Sequence, residues 1–343
     1  MREAQAERIE SVVANMGLTE LMRRVNSRLD PEDFIETVSC AFQDVRGSST
    51  SVETRKRFLA EPSYALFQKA LSLANERGRR GQSVLVLGCG RGFAGEGAEF
   101  AADSVRETFD SRRRPVITTC NLTPAVVRDA SRGVPTGLLL DGKESTYDLV
   151  VTHSLFHYIP DVLPVFVLIR KLIKPSGGLI VGHEPNANFW KNAECQASLA
   201  AMQRSRQIQR WCRSLDLRRY LLRSRAVQVQ PENMMSRVNR RLQEHYGFSG
   251  PLTVNEILRL VDVHRPEAVR GTFRIGHDGF DLDEWTQTLL VGFELIWAGS
   301  TGQLGYISSS SLSQKWKRKE AELATRHPLA GSVFSAFWSR SIL

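Results

Sequence analysis

The run Ser83-Val84-Leu85-Val86-Leu87 stops at Gly88, and Gly88-Cys89-Gly90-Arg91-Gly92 follows directly. Glycines after a short apolar run let the backbone bend sharply and let a ligand come close. A helix starting just beyond them offers unpaired N–H groups and the positive end of its dipole. That is chemistry for gripping a nucleotide-like ligand through the main chain. Proton-handling groups gather at two other points: His153, His157 and Tyr158 after the run Asp148–Thr152, and His183-Glu184 after Leu179–Gly182. Imidazoles and carboxylates are the usual bases of catalysis, so His157, His153, His183 and Glu184 are candidates. The four-residue spacing of His153 and His157 also suits metal ligands on a helix. They follow a strand and have no evident third ligand, so no metal site is expected.

These groups need elements to hold them. Residues 1 to about 80 read as helices: Ile9, Val12, Val13 and Met16 recur at helical spacing, Asp30-Pro31-Glu32-Asp33 looks like a helix start, and Phe58–Ala74 reads as another helix. Strand runs then alternate with helical spacing. Strands are expected at 83–87, 116–120, 138–140, 148–152 and 179–182, and helices at 96–109, 124–130 and 162–173. Lys174-Pro175-Ser176-Gly177-Gly178 reads as a closing turn. Alternation of this kind implies βαβ units and a parallel sheet. The pattern is lost from about Asn186 to Phe280, and strand character returns at 293–297 and 333–338. The expected divisions are an N-terminal helical lid segment (1–82), a nucleotide-binding core (83–185), a helical insertion serving as a substrate cap (186–280) and a return to the core (281–343).

The glycine loop alone could hold a dinucleotide or S-adenosylmethionine. Gly90 to Gly95 satisfies G-x-G-x-x-G, but its first glycine comes two residues after the strand ends. The acid expected about 20 residues on for a dinucleotide ribose is missing, and the second strand ends in Asn121. Four segments, in matching order and spacing, resemble the class I S-adenosylmethionine-dependent methyltransferases: Val84–Gly92; Asn121-Leu122-Thr123-Pro124; Tyr147–Asp161; and Leu168–Val181. The resemblance covers residues 83–185 well and the last 60 loosely. It implies a doubly wound, mostly parallel seven-stranded α/β sheet, with N-terminal helices and the insertion after the fifth strand. It implies S-adenosyl-L-methionine as cofactor, with S-adenosyl-L-homocysteine as product. Carried over by position, Gly88, Cys89, Gly90 and Gly92 would line the methionine and ribose portions. Asn121 would meet the ribose and Leu122 the adenine. Asp141 and Gly142 would approach the adenine amine, and His153 and Ser154 the methionine portion. Asp148 reads as structural.

Two positions depart from the family pattern. Val86 stands where an acid is often found in the first strand. Asn121 stands where an acid usually holds the ribose hydroxyls, so a charge-assisted bond is replaced by a neutral amide. The loop Thr152-His153-Ser154-Leu155 lacks the family's Asn/Asp-Pro-Pro-Tyr signature for exocyclic amines and glutamine side chains. The aromatics Trp190, Trp211, Tyr220, Tyr246 and Trp285 could wall a substrate pocket, although packing is their commoner role.

Composition bounds the rest. The chain has 343 residues, 42% of them hydrophobic and 24% charged, which suits a globular protein with a sizeable core. No apolar run is long enough to span a bilayer, and the first residues do not read as a secretory signal. Five widely spaced cysteines without a CxxC argue against a disulfide framework, so a cytoplasmic setting is expected. Eleven arginines between Gln203 and Arg241 face only Asp216 and Glu232, a surplus equal to the whole net charge of +9. This favours an anionic partner. The expectation is methyl transfer to an oxygen or nitrogen atom of a small, acidic molecule. An RNA methyltransferase using the arginines, and a catalytically silent binding protein of this fold, stand as alternatives. No membrane partner is expected, and a homodimer stays open.

Overall fold

The computed structural model describes residues 18–47, 59, 61–78, 82–88, 98–109, 115–122, 145–159, 162–214, 234–261, 279–305 and 312–341. In chain order the elements are α1 (Leu18–Arg24), α2 (Pro31–Gly47), α3 (Pro62–Arg77), β1 (Ser83–Gly88), α4 (Ala98–Thr108), β2 (Val116–Asn121), β3 (Tyr147–His153), α5 (Leu163–Leu172), β4 (Ile173–Pro185), α6 (Ala187–Lys191), α7 (Ala193–Ser214), α8 (Met234–Tyr246), α9 (Val254–Val261), α10 (Leu282–Glu284), β5 (Phe293–Thr301), α11 (Gln314–Arg326) and β6 (Val333–Arg340).

Among the described residues, six strands form one sheet in the order β2-β1-β3-β4-β6-β5. The first four are parallel, and β6 runs antiparallel to both β4 and β5. The expected strand at 138–140 and helix at 124–130 lie outside the described residues. The strand runs read clearly because both faces are buried. Val84 and Val86 pack with Leu149, Val151 and Ile180 under α3 and α4, through Phe67, Leu71 and Val105. Leu85, Leu87 and Val150 turn to the other face, where Phe166 and Ile169 of α5 cover them. Helix α3, which falls within the N-terminal segment expected as a lid, is therefore a layer of the core.

The turn signals at 174–178 do not end a helix before a later strand. Strand β4 already begins at Ile173, paired with Tyr147, and the register then shifts so that Leu149 pairs with Gly178. Pro175 and Gly177 mark an irregularity inside the strand, where a ladder donor is missing and a side chain would not fit. Asp148 anchors this end. It accepts the Ser83 N–H and hydroxyl, each at 2.8 Å, and pairs with Lys174 at 2.9 Å.

The chain leaves the core at Asn186 and returns at Phe280, and these two residues form a bridge. Between them, α8 and α9 pack against α2, and Phe34 stacks on Phe248 at 5.3 Å. Arg241 pairs with Asp44 at 2.9 Å, and Arg24 with Glu256 at 2.8 Å. The apolar residues of this helical group belong to the same cluster as Leu87, Leu122 and Leu155. No described helix is long and apolar enough to cross a membrane.

Candidate functional site

The strand order reverses beside β1: β2 lies on one side and β3 on the other. In an open α/β sheet, the crevice at the carboxyl ends of such strands is where ligands bind. Gly88 ends β1, Asn121 ends β2, His153 ends β3, and His183-Glu184 lie near the end of β4. Gly88 is in register with Asn121, and the Leu122 N–H donates to the Gly88 carbonyl at 2.6 Å. Asn121 is exposed. The Leu122 side chain, expected beside the adenine, is 1% exposed and belongs to the core cluster. Cys89, Gly90, Gly92, Asp141 and Gly142 lie outside the described residues.

The candidate bases sort themselves by their surroundings. His153 sits between Phe67 of α3 (4.8 Å, edge-on) and Phe100 of α4 (5.3 Å), with the His183 ring stacked on it at 5.6 Å. Burial, and secondly the nearby His157, push its pKa down from 6.5 to about 3. A ring held this way stays neutral near pH 7. His157 is 6% exposed, and its Nδ1 lies 2.8 Å from Glu184 Oε2. The contact ties the Nδ1 side of the ring to the end of β4.

Glu184 is fully buried. One oxygen accepts the N–H groups of Leu155 (2.7 Å) and Phe156 (2.9 Å), and the other accepts that of His157 (3.2 Å). The loop after β3 is thus folded onto a carboxylate at the end of β4. Ser154, with its N–H donating to the Gly182 carbonyl at 2.8 Å, and His183 both have left-handed backbones, at φ 52° and 57°. Such non-glycine residues are uncommon and often mark functional edges.

Residue type could not reveal the surroundings of His153. Phe67, Phe100 and Gly182 do so only when three elements meet. No group of three potential metal ligands occurs among the described residues. Trp285, a candidate pocket wall, is 2% exposed and packs on Phe156, Phe166 and Phe280. It belongs to the core because the floor of the β3 loop is aromatic. Trp190 packs on Phe189 and Tyr246 is 41% exposed, while the side chains of Trp211 and Tyr220 lie outside the described residues. Two arginines of the basic stretch serve the fold: Arg241 pairs with Asp44, and Arg237 donates to the Val45 carbonyl at 3.1 Å.

The state of His153 has a measurable consequence. In the unfolded chain the ring titrates near 6.5, while in the folded protein it stays neutral to about 3. As pH falls between these values, the unfolded state takes up a proton that the folded state refuses. Stability therefore falls, by about 2 kcal/mol at pH 5 relative to pH 7. Denaturant unfolding of wild type and His153→Asn at both pH values will show this loss only in the wild type. Equal slopes in the two proteins would refute it.

No protein-family model and no curated protein matches this chain. Solved structures do. The chain is similar to an S-adenosylmethionine-dependent methyltransferase from Thermotoga maritima, at 11% identity over 84% of this chain and 96% of that one, with a TM-score of 0.33. It is similar to the plantazolicin methyltransferase BamL, solved with a triazolic desmethylPZN analog and SAH, at 12% identity over 91% and 99% of the two chains, with a TM-score of 0.33. It is also similar to the trans-methyltransferase CalH, solved with SAH, at 14% identity over 80% of this chain and 55% of that one, with a TM-score of 0.36.

Proposed function

We propose that this chain is an S-adenosylmethionine-dependent methyltransferase that acts on an oxygen or nitrogen atom of a small molecule. The observation that carries the reading is the meeting of Gly88 and Asn121, in register, at the carboxyl edge where the strand order reverses. The sequence resemblance centres on the same segments. The residues there fit the cofactor. Gly88 leaves room for close approach, and the exposed Asn121 amide can both donate to and accept from ribose hydroxyls. His153 brings no positive charge to the crevice, which suits a cationic sulfonium beside it. When bound, the cofactor supplies an activated methyl group for in-line displacement.

The chain's own contribution is then alignment of the acceptor and exclusion of water, with His153 and His157 at the β3 edge as the candidates for any proton transfer. The helical group formed by α1, α2, α8 and α9 would cap the acceptor. An acidic acceptor is favoured by the arginine surplus of the insertion, eleven arginines against Asp216 and Glu232 between Gln203 and Arg241.

Calorimetric titration with S-adenosylmethionine, S-adenosylhomocysteine and NADH tests the reading. Micromolar binding of the two sulfur compounds, its loss in Gly90→Arg and no binding of NADH are expected. Absence of binding by either sulfur compound would overturn it.

A further inference from the structure

Glu184 is a carboxylate with 0% exposure, and it receives four hydrogen bonds between 2.7 and 3.2 Å. Three come from the consecutive main-chain N–H groups of Leu155, Phe156 and His157, and the fourth from the His157 ring. A buried carboxylate is costly unless every lone pair is used. An ordinary turn would close this loop without any charge. The carboxyl group lies where the backbone is also strained, because Ser154, just past β3, and His183, within β4, hold left-handed conformations. Each strained residue adjoins a part of the joint: Ser154 leads into the bound loop, and His183 precedes Glu184. The joint therefore fixes the carboxyl end of β3 against that of β4 and holds the His153–His183 stack between them.

We propose that Glu184 is a positioning residue for cofactor binding. In this account its carboxylate holds the loop 154–158 in the conformation that forms the β3 side of the crevice, and His157 serves as the side-chain donor completing that grip. The inference rests on the methyltransferase reading, since it concerns the same crevice.

Glu184→Gln keeps shape and volume but turns an amide NH2 toward donors. The His157 N–H and ring then lose their acceptor, and the loop loosens. Hydrogen exchange in the ligand-free protein should accelerate about tenfold or more at Leu155, Phe156 and His157, with little change in the strands. Calorimetry should show the dissociation constant of S-adenosylhomocysteine rising by about the same factor. His157→Asn retains a side-chain N–H donor and should bind within about threefold of wild type, while His157→Leu should follow Glu184→Gln. If Glu184→Gln fails to fold, the two His157 variants carry the test.

Unchanged exchange at the three amides, or equal ligand affinity in wild type, Glu184→Gln and His157→Leu despite lowered melting temperatures, would overturn the positioning role. A wild type that binds no S-adenosylhomocysteine would overturn the methyltransferase reading instead. The exchange measurement would still decide whether Glu184 holds the loop.

Discussion

Replacing Trp285 by alanine will lower stability by about 3–5 kcal/mol, the usual range for truncating a buried aromatic. The indole touches Phe156, Phe166, Phe280, Phe334 and Trp338, with centroids 4.7 to 6.3 Å away. Those neighbours come from the β3 loop, from α5, from the point where the insertion rejoins the core, and from β6. They are anchored on different elements and cannot collapse together into the space. Denaturant unfolding will show a lower midpoint with little change in slope. Trp285→Phe should retain more than half of the lost stability. A loss below about 1 kcal/mol for the alanine variant would show that the neighbouring rings close over the space.

Gly182→Ala carries the next largest effect. A Cβ at this position would lie 2.5 Å from a ring carbon of Phe67 and 2.9 Å from Cδ2 of His153. Phe67 is fully buried and cannot swing away. Overpacking of this kind costs about 1–3 kcal/mol, and relieving it means moving His153 out of its place between the two phenylalanines. The variant should be destabilised by roughly 2–3 kcal/mol and should bind S-adenosylhomocysteine more weakly. Phe67→Leu in the same chain should recover part of the loss, a coupling that a double-mutant cycle measures directly. Additive effects of the two changes would refute the contact.

The sheet was legible because its central strands are buried on both faces, leaving nearly unbroken apolar runs at 84–87 and 149–151 that end in glycine or polar residues. The carboxyl edge was legible for the same reason: where the first two runs stop, the sheet ends, and Gly88 and Asn121 fall there. The grip of Glu184 was not legible, because its partners lie 27 to 29 residues away and are mostly main-chain N–H groups, which every residue type supplies. The neutrality of His153 was hidden too, since it depends on rings from α3 and α4. Pro175 and Gly177 looked like a boundary, and nothing local distinguishes a turn from an irregularity within a long strand. Arg237 and Arg241 counted as surplus charge in the sequence, although their partners Val45 and Asp44 stand 192 and 197 residues away.

The position of β6 bears on how the protein is made. It lies between β4 and β5, so β5 has no described neighbour in the sheet until β6 arrives. Roughly 150 residues separate the end of β4 from the start of β6. At about 5–20 residues per second, a ribosome needs on the order of ten seconds or more to deliver that stretch. Throughout that interval the nascent chain holds an open β4 edge and a half-built aromatic cluster waiting for Phe334 and Trp338. A chaperone that shields apolar edges during translation would find its window there, and stalled synthesis before β6 would release an aggregation-prone chain.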